Sequence, residues 1–209
     1  LLDALTKAGI TNPQVVFING SPTDNNATLF KKGAHEVLDG KVTVAKEYDT
    51  PDWSPDKAQD EMTQALTALN NKVDGVLAAN DGTAGGAIAA MKAAGLTTLP
   101  PITGQDAEVA GIQRIIAGEQ YMTVYKAIKP EAEAAATLAF DLLSGTTPDA
   151  SLLNGTTNNG KIDVPSVLLT PVAVTIDNVE STIIADGFHT VAEICTADYA
   201  DACTKAGIK

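Results

Sequence analysis

The chain has 209 residues, 44% of them hydrophobic, which is enough for one large domain or for two small lobes with packed cores. Its 26 acidic side chains against 14 lysines and arginines give a formal net charge of −12 and a pI near 4.4. Such a surface repels phosphate backbones and anionic lipids, so we expect no nucleic-acid partner. No run approaches the roughly 20 apolar residues that a membrane-spanning helix needs.

Through residue 143 the chain alternates between short apolar runs typical of strands and longer segments with helical periodicity. The predicted strands span residues 15–19, 42–48, 75–79, 101–104 and 122–125. The predicted helices span residues 26–38, 55–70, 83–94, 108–117 and 130–143. This alternation predicts βαβ units and therefore an α/β fold with a parallel sheet. The opening LLDALTKAG is typical of the end of an amphipathic helix, so we expect further chain before it.

After Ser144 the segment GTTPDASLLNGTTNNGKIDVPS is rich in glycine, threonine, asparagine and proline, and we predict a long loop. The following VLLTPVAVTI has a strand pattern interrupted by Pro171, which cannot donate to a central ladder. We therefore expect an edge strand or a crossing between lobes.

The only two cysteines, Cys195 and Cys203, lie close together near the end of the chain. This spacing suits a small disulfide loop in an oxidising compartment, and two free thiols on a helix are the alternative. His35 and His189 do not form a zinc-binding spacing with the two cysteines, so we expect no metal.

Polar residues follow the predicted strands. Because the carboxyl ends of parallel strands meet at one edge of a sheet, we expect these side chains to surround a single crevice. Carboxylates accept hydroxyl hydrogens and amides both donate and accept, so a run of such groups suits a polyol ligand. The candidate ligand-binding residues at these strand ends are Asp24, Asn26, Asn80, Asp106 and Lys126.

Each of these candidates also has a purely structural interpretation. The SPTDNNA cluster offers good helix caps, although capping does not account for all of its polar residues. In AANDGTAGGA we interpret Asp81 as the helix cap and Asn80, at the strand tip, as the ligand candidate. That turn lacks the glycine spacing of a phosphate-binding loop, so nucleotide binding is disfavoured. Lys126 would otherwise be a solvated surface charge.

Trp53 is the only tryptophan and stands in the polar turn DTPDWSP, outside any apolar stripe. Its indole offers a flat apolar face to the C–H side of a sugar ring, and a contact between lobes is the competing interpretation. Neither histidine lies in a recognisable nucleophile motif, so we expect no catalytic residues and no cofactor. We interpret both histidines as structural or surface residues.

Five segments in order closely resemble the bacterial periplasmic D-xylose-binding proteins, the receptor components of ABC sugar importers. They are INGSPTDNNATLFKKG, ANDGTAGGAIAAMKAAGL, TGQDAEVAGIQRIIAGEQYMTVYK, NNGKIDVPSVLLTP and DGFH. The resemblance extends to about His189, and the tail with its two cysteines departs from it. It implies that Trp53 stacks on the sugar ring, that Asp24 and Asp106 accept hydroxyl hydrogens, and that the remaining candidates complete the contacts.

The resemblance also implies the type I periplasmic binding fold, in which two α/β lobes joined by three hinge strands close on one sugar without altering it. On this pattern residues 1–126 and 170–209 form the second, carboxyl-terminal sugar-binding lobe, a three-layer structure around a parallel sheet. Residues 127–169 cross the hinge and supply a helix and a loop to a first lobe that is largely missing here. We expect that lobe as a separate or cleaved polypeptide.

The sequence thus predicts a non-enzymatic receptor that binds a neutral monosaccharide, most simply xylose, and delivers it to ABC permease subunits. We expect it in the periplasm or another extracytoplasmic space, held at the membrane by the transporter or by a lipid anchor. The alternative is the effector-binding core of a lactose-repressor-type transcription regulator, which shares the two-lobe fold. A sugar-modifying enzyme is a third hypothesis, which the lack of a nucleophile motif disfavours. The choice between pentose and hexose stays open.

Overall fold

The computed structural model describes residues 1–208. Its central sheet contains three parallel strands, β1 (Gln14–Asn19), β2 (Thr43–Asp49) and β3 (Gly75–Ala78), in the order β2-β1-β3. Val15 is paired with Val44 on one side and with Gly75 on the other, so β1 is the central strand. This arrangement confirms the predicted α/β fold with a parallel sheet.

The prediction of a full strand at residues 101–104 is wrong, because the segment forms only a short extension of the sheet. Ile102 makes an isolated parallel bridge to Val76. Pro101 has no N–H group to donate, and the chain leaves the ladder at Gly104. The next strand, β4 (Thr123–Tyr125), lies beside this segment, where the Val124 N–H donates to the Gly104 carbonyl at 3.2 Å.

Five helices accompany these strands, and the last four differ from the predicted bounds by no more than two residues at either end. They are α1 (Leu2–Lys7), α2 (Asn25–Leu38), α3 (Pro55–Leu69), α4 (Asp81–Ala93) and α5 (Val109–Ile116). Pro55 occupies the first turn of α3, where a missing N–H costs nothing. Gly95 and Gly118 follow the caps of α4 and α5 with φ values of 82° and 76°, the left-handed conformation that ends many helices.

The core lies on both faces of the sheet because successive β1 side chains point to opposite sides. One face packs against α3 and α4 in a cluster that contains Val16, Ile18, Met62 and Met91. The other face packs against α1 and α2 in a cluster that contains Leu5, Val15, Phe17 and Leu38. Burial of each large side chain contributes about 1.5–3 kcal/mol, so these two layers hold the turns at the strand ends in place.

The chain divides into two compact units, one made of Leu1–Tyr125 with the chain from Ala173 onward, the other of Lys126–Val172. The second unit contains α6 (Ile128–Leu143), and no residue of this helix is buried. The apolar side chains Phe140, Leu142 and Leu143 at its end are exposed. The assignment of residues 127–169 to another lobe stays a prediction.

The predicted long loop after Ser144 contains an antiparallel hairpin of β5 (Gly155–Asn158) and β6 (Asp163–Ser166), so that prediction is wrong in part. The turn is stabilised by the Asn159 side chain, whose Oδ1 accepts the N–H groups of Lys161 and Ile162, each at 3.0 Å. Gly160 adopts a φ of 87° there. The NNG sequence was the signal for this turn, but its polar flanks resemble loop composition.

After Pro171 the strand β7 (Val172–Val174) pairs with β4 in a two-stranded sheet. The tail then forms a π-helical turn (Glu180–Ile184), the short helix α7 (Val191–Ile194), a 3-10 turn (Ala197–Tyr199) and the short helix α8 (Ala200–Ala206). A disulfide joins Cys195 to Cys203, and the described residues include no free cysteine. None of the helices within residues 1–208 has the length and apolar character needed to cross a bilayer.

Candidate functional site

Asp24 lies in the turn between β1 and α2 and caps α2. Its Oδ1 accepts the Asn26 N–H at 2.8 Å, and its Oδ2 accepts the indole Nε1–H of Trp53 at 3.1 Å. The capping interpretation is therefore correct for Asp24, but it accounts for only one of the two oxygens. Each carboxylate oxygen has a second lone pair, so the half-buried Asp24 retains the capacity to accept ligand hydroxyls.

Trp53 ends the 3-10 turn Pro51–Trp53 that follows β2. Its ring lies directly against Gly20, since a Cβ atom built on Gly20 would stand only 2.1 Å from the ring carbon Cη2. Phe30 of α2 approaches the ring edge-on, with 6.4 Å between ring centroids. Three contacts thus fix the indole, which remains partly exposed to solvent.

Asn80 caps α4, and this corrects the interpretation of AANDG. Its Oδ1 accepts the Thr83 N–H at 2.8 Å, while its own N–H donates to the Thr83 Oγ1 at 3.2 Å, forming a capping box. Asp81 is therefore not the cap but the first helical residue. Asn80 is half-buried at the strand tip and keeps its amide nitrogen as a donor for a ligand.

Asp106 lies in a left-handed turn with Ala107, at φ values of 90° and 52°. Trp53 and its neighbour Asp52 are also left-handed, at 55° and 59°. Within residues 1–208 these four are the only residues with positive φ that are neither glycine nor asparagine. Such conformations cost on the order of 1–3 kcal/mol each and cluster at functional sites. Both strained pairs contain a residue predicted to bind ligand.

The sequence indicates only a capping role for Asp81 and does not predict its burial. The side chain is fully buried. Its Oδ1 accepts from Gln120 Nε2 at 2.7 Å, and its Oδ2 accepts from Thr123 Oγ1 at 3.0 Å and from the Glu108 N–H at 2.9 Å. Burial raises the pKa of this carboxyl to about 6, against the opposing effect of the hydrogen bonds and of Arg114. We call Asp81, Arg114, Gln120 and Thr123 the Asp81 network.

The structure brings the predicted residues together through adjoining turns. The turns after β1 and β2 are joined by the bond from Trp53 to Asp24. The turn after β3 is joined to the next segment by the Asp81 N–H, which donates to the Gln105 carbonyl at 2.9 Å. Between the two pairs, a Cβ on Gly82 would stand 3.5 Å from Cγ of Pro55, so α3 and α4 begin side by side.

The remaining predicted residues are Asn26 and Lys126. Asn26 is exposed in the first turn of α2, where its backbone N–H is taken by Asp24. Lys126 is the first residue of the second unit, and its place beside the other candidates stays a prediction.

An apolar groove of about 600 Å³ lies next to the strand-end turns on the first unit. Its lining includes Phe30, Leu77 and Val124, with Asn19 and Gln105 among its few polar residues. The predicted ligand residues do not line it, and aliphatic walls offer few partners to the hydroxyls of a polyol. We therefore place the candidate site at the strand-end turns and not in this groove.

The histidines have structural contacts. His35 is bonded to Asp39 at 2.9 Å and to Glu47 at 3.1 Å, and these hydrogen bonds raise its pKa. His189 Nε2 donates to the Ala107 carbonyl at 2.8 Å. Within residues 1–208, no group of three or more histidine, cysteine or acidic side chains is arranged to hold a metal ion.

Residues 1–147 match the periplasmic binding protein domain. The chain belongs to this family. It is 49% identical over 182 residues to the D-xylose-binding periplasmic protein of Escherichia coli strain K12, a match that covers 85% of this chain and 54% of that protein. It is 47% identical over 178 residues to the D-xylose-binding periplasmic protein of Haemophilus influenzae, covering 83% and 53%. The chain thus spans about half the length of these relatives.

Among solved structures, this periplasmic binding protein domain is similar to an ABC transporter solute binding protein from Clostridium phytofermentans with bound β-D-glucose. The TM-score is 0.78 and the sequence identity 28%, and the match covers 92% of this chain and 64% of that one. The type I periplasmic binding fold expected from the sequence is confirmed.

Proposed function

We propose that this chain is the carboxyl-terminal sugar-binding part of a solute receptor for an ABC importer, with a neutral monosaccharide, D-xylose, as its ligand. The two relatives at 49% and 47% identity are named D-xylose-binding periplasmic proteins, and the similar solved structure holds glucose. The function needs no covalent step, because a receptor of this kind binds and releases its sugar unaltered.

The chemistry of the strand-end turns supports a polyol ligand. Trp53 offers an anchored aromatic face to the C–H side of a sugar ring, and Asp24 and Asp106 offer acceptors for its hydroxyls. Asn80 adds an amide donor, and we assign Asn26 and Lys126 to the remaining hydroxyls. The observation that carries the proposal is that Trp53 and Asp106 each lie on a strained left-handed turn and that the indole of Trp53 is bonded to the Asp24 carboxylate.

The proposal includes the setting of the receptor. Residues 127–169 would belong to the first lobe, and closure of two lobes on the sugar would present a surface to the membrane permease. The protein would act in the periplasm, for which the disulfide between Cys195 and Cys203 is suited. The 209-residue chain by itself would then bind sugar weakly, because the other lobe supplies many of the hydrogen bonds and excludes water.

Calorimetry of this chain with D-xylose, D-glucose and D-ribose tests the proposal. We expect weak but saturable binding of D-xylose, and a loss of about tenfold or more in the Asp106→Ala variant, since a hydrogen bond to a charged group contributes about 1.5–3 kcal/mol. Asp60→Ala, an exposed substitution on α3, is the control and should leave the affinity unchanged. Equal affinity in the two variants would remove Asp106 from the site, and no binding of any of the three sugars would contradict the function.

A further inference from the structure

The left-handed turn at Asp106 is held by a dense set of buried contacts. The Ala107 N–H donates to Thr123 Oγ1 at 3.1 Å, and Thr123 Oγ1 in turn donates to Asp81 Oδ2 at 3.0 Å. The same Asp81 oxygen accepts the Glu108 N–H at 2.9 Å. One carboxylate oxygen therefore connects to two of the three N–H groups that start at Asp106. The third, the N–H of Asp106 itself, donates to the next strand.

The surroundings of Asp81 are shaped to its carboxylate. A Cβ built on Gly104 would stand 2.1 Å from Oδ1, and one built on Gly111 would stand 2.2 Å from Oδ2. Two glycines on opposite sides thus leave room for this side chain. Gln120 and Thr123, which bond its oxygens, are also buried, at 2% and 0% exposure.

Arg114 orients the Gln120 amide that donates to Asp81. Arg114 Nε donates to Gln120 Oε1 at 3.0 Å, so the Gln120 amide must present its nitrogen to Asp81. Arg114 Nη2 also donates to the Asp81 carbonyl at 2.6 Å. The orientation of every group in the network is therefore determined, and a neutral amide at position 81 would place an N–H against a donor.

We propose that Asp81 and Thr123 form a buried clamp that holds the Asp106–Ala107 turn in its left-handed conformation and so positions Asp106 for the ligand. This inference rests on the proposed function, because only a sugar-binding site gives Asp106 a ligand to meet. Asp81 and Thr123 are positioning residues and do not touch the sugar. The raised pKa of Asp81 shows that burying its charge is costly. A carboxyl kept at such a cost agrees with a specific role for this side chain.

A matched pair of threonines allows a sharp test. Thr123→Val removes the hydroxyl that accepts the Ala107 N–H at 3.1 Å, with little change of shape. Thr103→Val removes a hydroxyl that accepts the Ala78 N–H at the same 3.1 Å, at a site that is also buried. Each variant loses two buried hydrogen bonds of its hydroxyl, one accepted from a backbone N–H and one donated, to Asp81 from Thr123 and to the Ala78 carbonyl from Thr103. Both variants should therefore be destabilised. Only Thr123 contacts the turn.

The readouts are the structure of the turn and the affinity for D-xylose. A positive φ brings a residue's own amide and α protons close together, so wild-type Asp106 and Ala107 should give strong intraresidue NOEs in the labelled 209-residue chain. We expect Thr123→Val to weaken both NOEs and to reduce D-xylose affinity about tenfold. Thr103→Val should change neither. Asp81→Asn should act as Thr123→Val does, because its amide donor opposes the donors around it.

The outcomes separate the clamp from the function. Strong NOEs that persist in Thr123→Val and Asp81→Asn would overturn the clamp, whatever the sugar affinity. Weakened NOEs with unchanged D-xylose affinity would overturn the positioning of Asp106. If the wild-type chain binds no sugar, the proposed function fails, and the NOEs still decide whether Asp81 and Thr123 hold the turn.

Discussion

Asp24 and Asp81 stand at similar places, each at the start of a helix that follows a parallel strand, yet their environments are opposite. Asp24 is half-buried and accepts hydrogen bonds from the partly exposed indole of Trp53 and from the Asn26 N–H. Asp81 is fully buried and bonds the groups that hold the next turn. In our proposal the first carboxylate meets the ligand, and the second supports a residue, Asp106, that meets it.

A difference of one residue in the helix start explains the contrast. Asp24 is the cap of α2, so its side chain folds back over the first N–H groups at the end of the sheet. In α4 the cap is Asn80, and Asp81 follows as the first helical residue. Its side chain then points toward the neighbouring segment, where Gly104 and Gly111 leave space.

The largest expected effect comes from filling that space. Gly111→Ala would place a Cβ 2.2 Å from Asp81 Oδ2, inside a buried network that cannot move aside. We expect a loss of about 3 kcal/mol in the free energy of unfolding, measured by urea denaturation. Gly33→Ala in α2 is the control, because a Cβ there meets nothing within 4 Å, and it should stabilise the fold by about 0.5–1 kcal/mol. Equal effects of the two substitutions would contradict the packing around Asp81.

The next effect is the pH dependence that Asp81 gives to stability. Its pKa is raised from 3.8 to about 6, so the folded chain holds this proton more tightly than the unfolded chain. Its contribution to stability is fully present below about pH 4 and is lost as the pH rises through about 6, by about 2–3 kcal/mol. Arg114 is the charged group that acts against this shift, because its guanidinium lowers the pKa of Asp81.

Urea denaturation of the wild type and of Asp81→Asn across this pH range isolates the effect. The wild type should lose stability relative to the variant between about pH 4 and about pH 7, because only the wild type titrates at this position. Parallel profiles for the two proteins would show that Asp81 has an ordinary pKa and would weaken the case for its burial.

Near the half-buried Asp24, a similar glycine substitution should have a smaller effect on stability. Gly20→Ala would place a Cβ 2.1 Å from the far end of the partly exposed Trp53 ring and would displace the ring outward, away from its contacts with Asp24 and Phe30. We expect a cost of only about 1 kcal/mol in stability, together with a shift of the tryptophan emission to longer wavelength and a loss of sugar affinity. Unchanged fluorescence would contradict the contact between Trp53 and Gly20.

The smallest effect belongs to His35, which lies apart from both carboxylates. Hydrogen bonds to Asp39 and Glu47 raise its pKa above 6.5, so its contribution is present below that pH and is lost as the pH rises through the raised value. Because the site is exposed to solvent, the change in stability should stay below about 1 kcal/mol. An NMR titration of the His35 ring measures the pKa, and a value at or below 6.5 would contradict these contacts.

Much of the fold could be predicted because its signals are local. Apolar runs marked β1, β2 and β3, and Pro55, Gly95 and Gly118 marked helix ends. The hairpin of β5 and β6 was missed because its strands are polar and exposed, so no apolar period distinguishes them from a loop.

The arrangement of the candidate site was less accessible to sequence reasoning. Parallel topology was enough to predict that Asp24 and Asp106 follow segments of the sheet, although the segment before Asp106 makes only the single bridge at Ile102. Trp53 was selected by its polar turn. The adjacent pair Asn80 and Asp81 offered two cappers, and only the fold decides which one starts the helix. The left-handed backbone at Asp106 had no signal either, because an Asp-Ala pair does not mark a turn in the way that glycine does.

The most direct test of the account is an NMR titration of the labelled 209-residue chain with D-xylose. The account predicts saturable shifts of the Trp53 indole N–H and of the backbone amides of Asn80, Asp106 and Ala107, with little change at Val37 and Leu77 in the apolar groove. Shifts confined to that groove, or no shifts at the strand-end turns at saturating sugar, would contradict it.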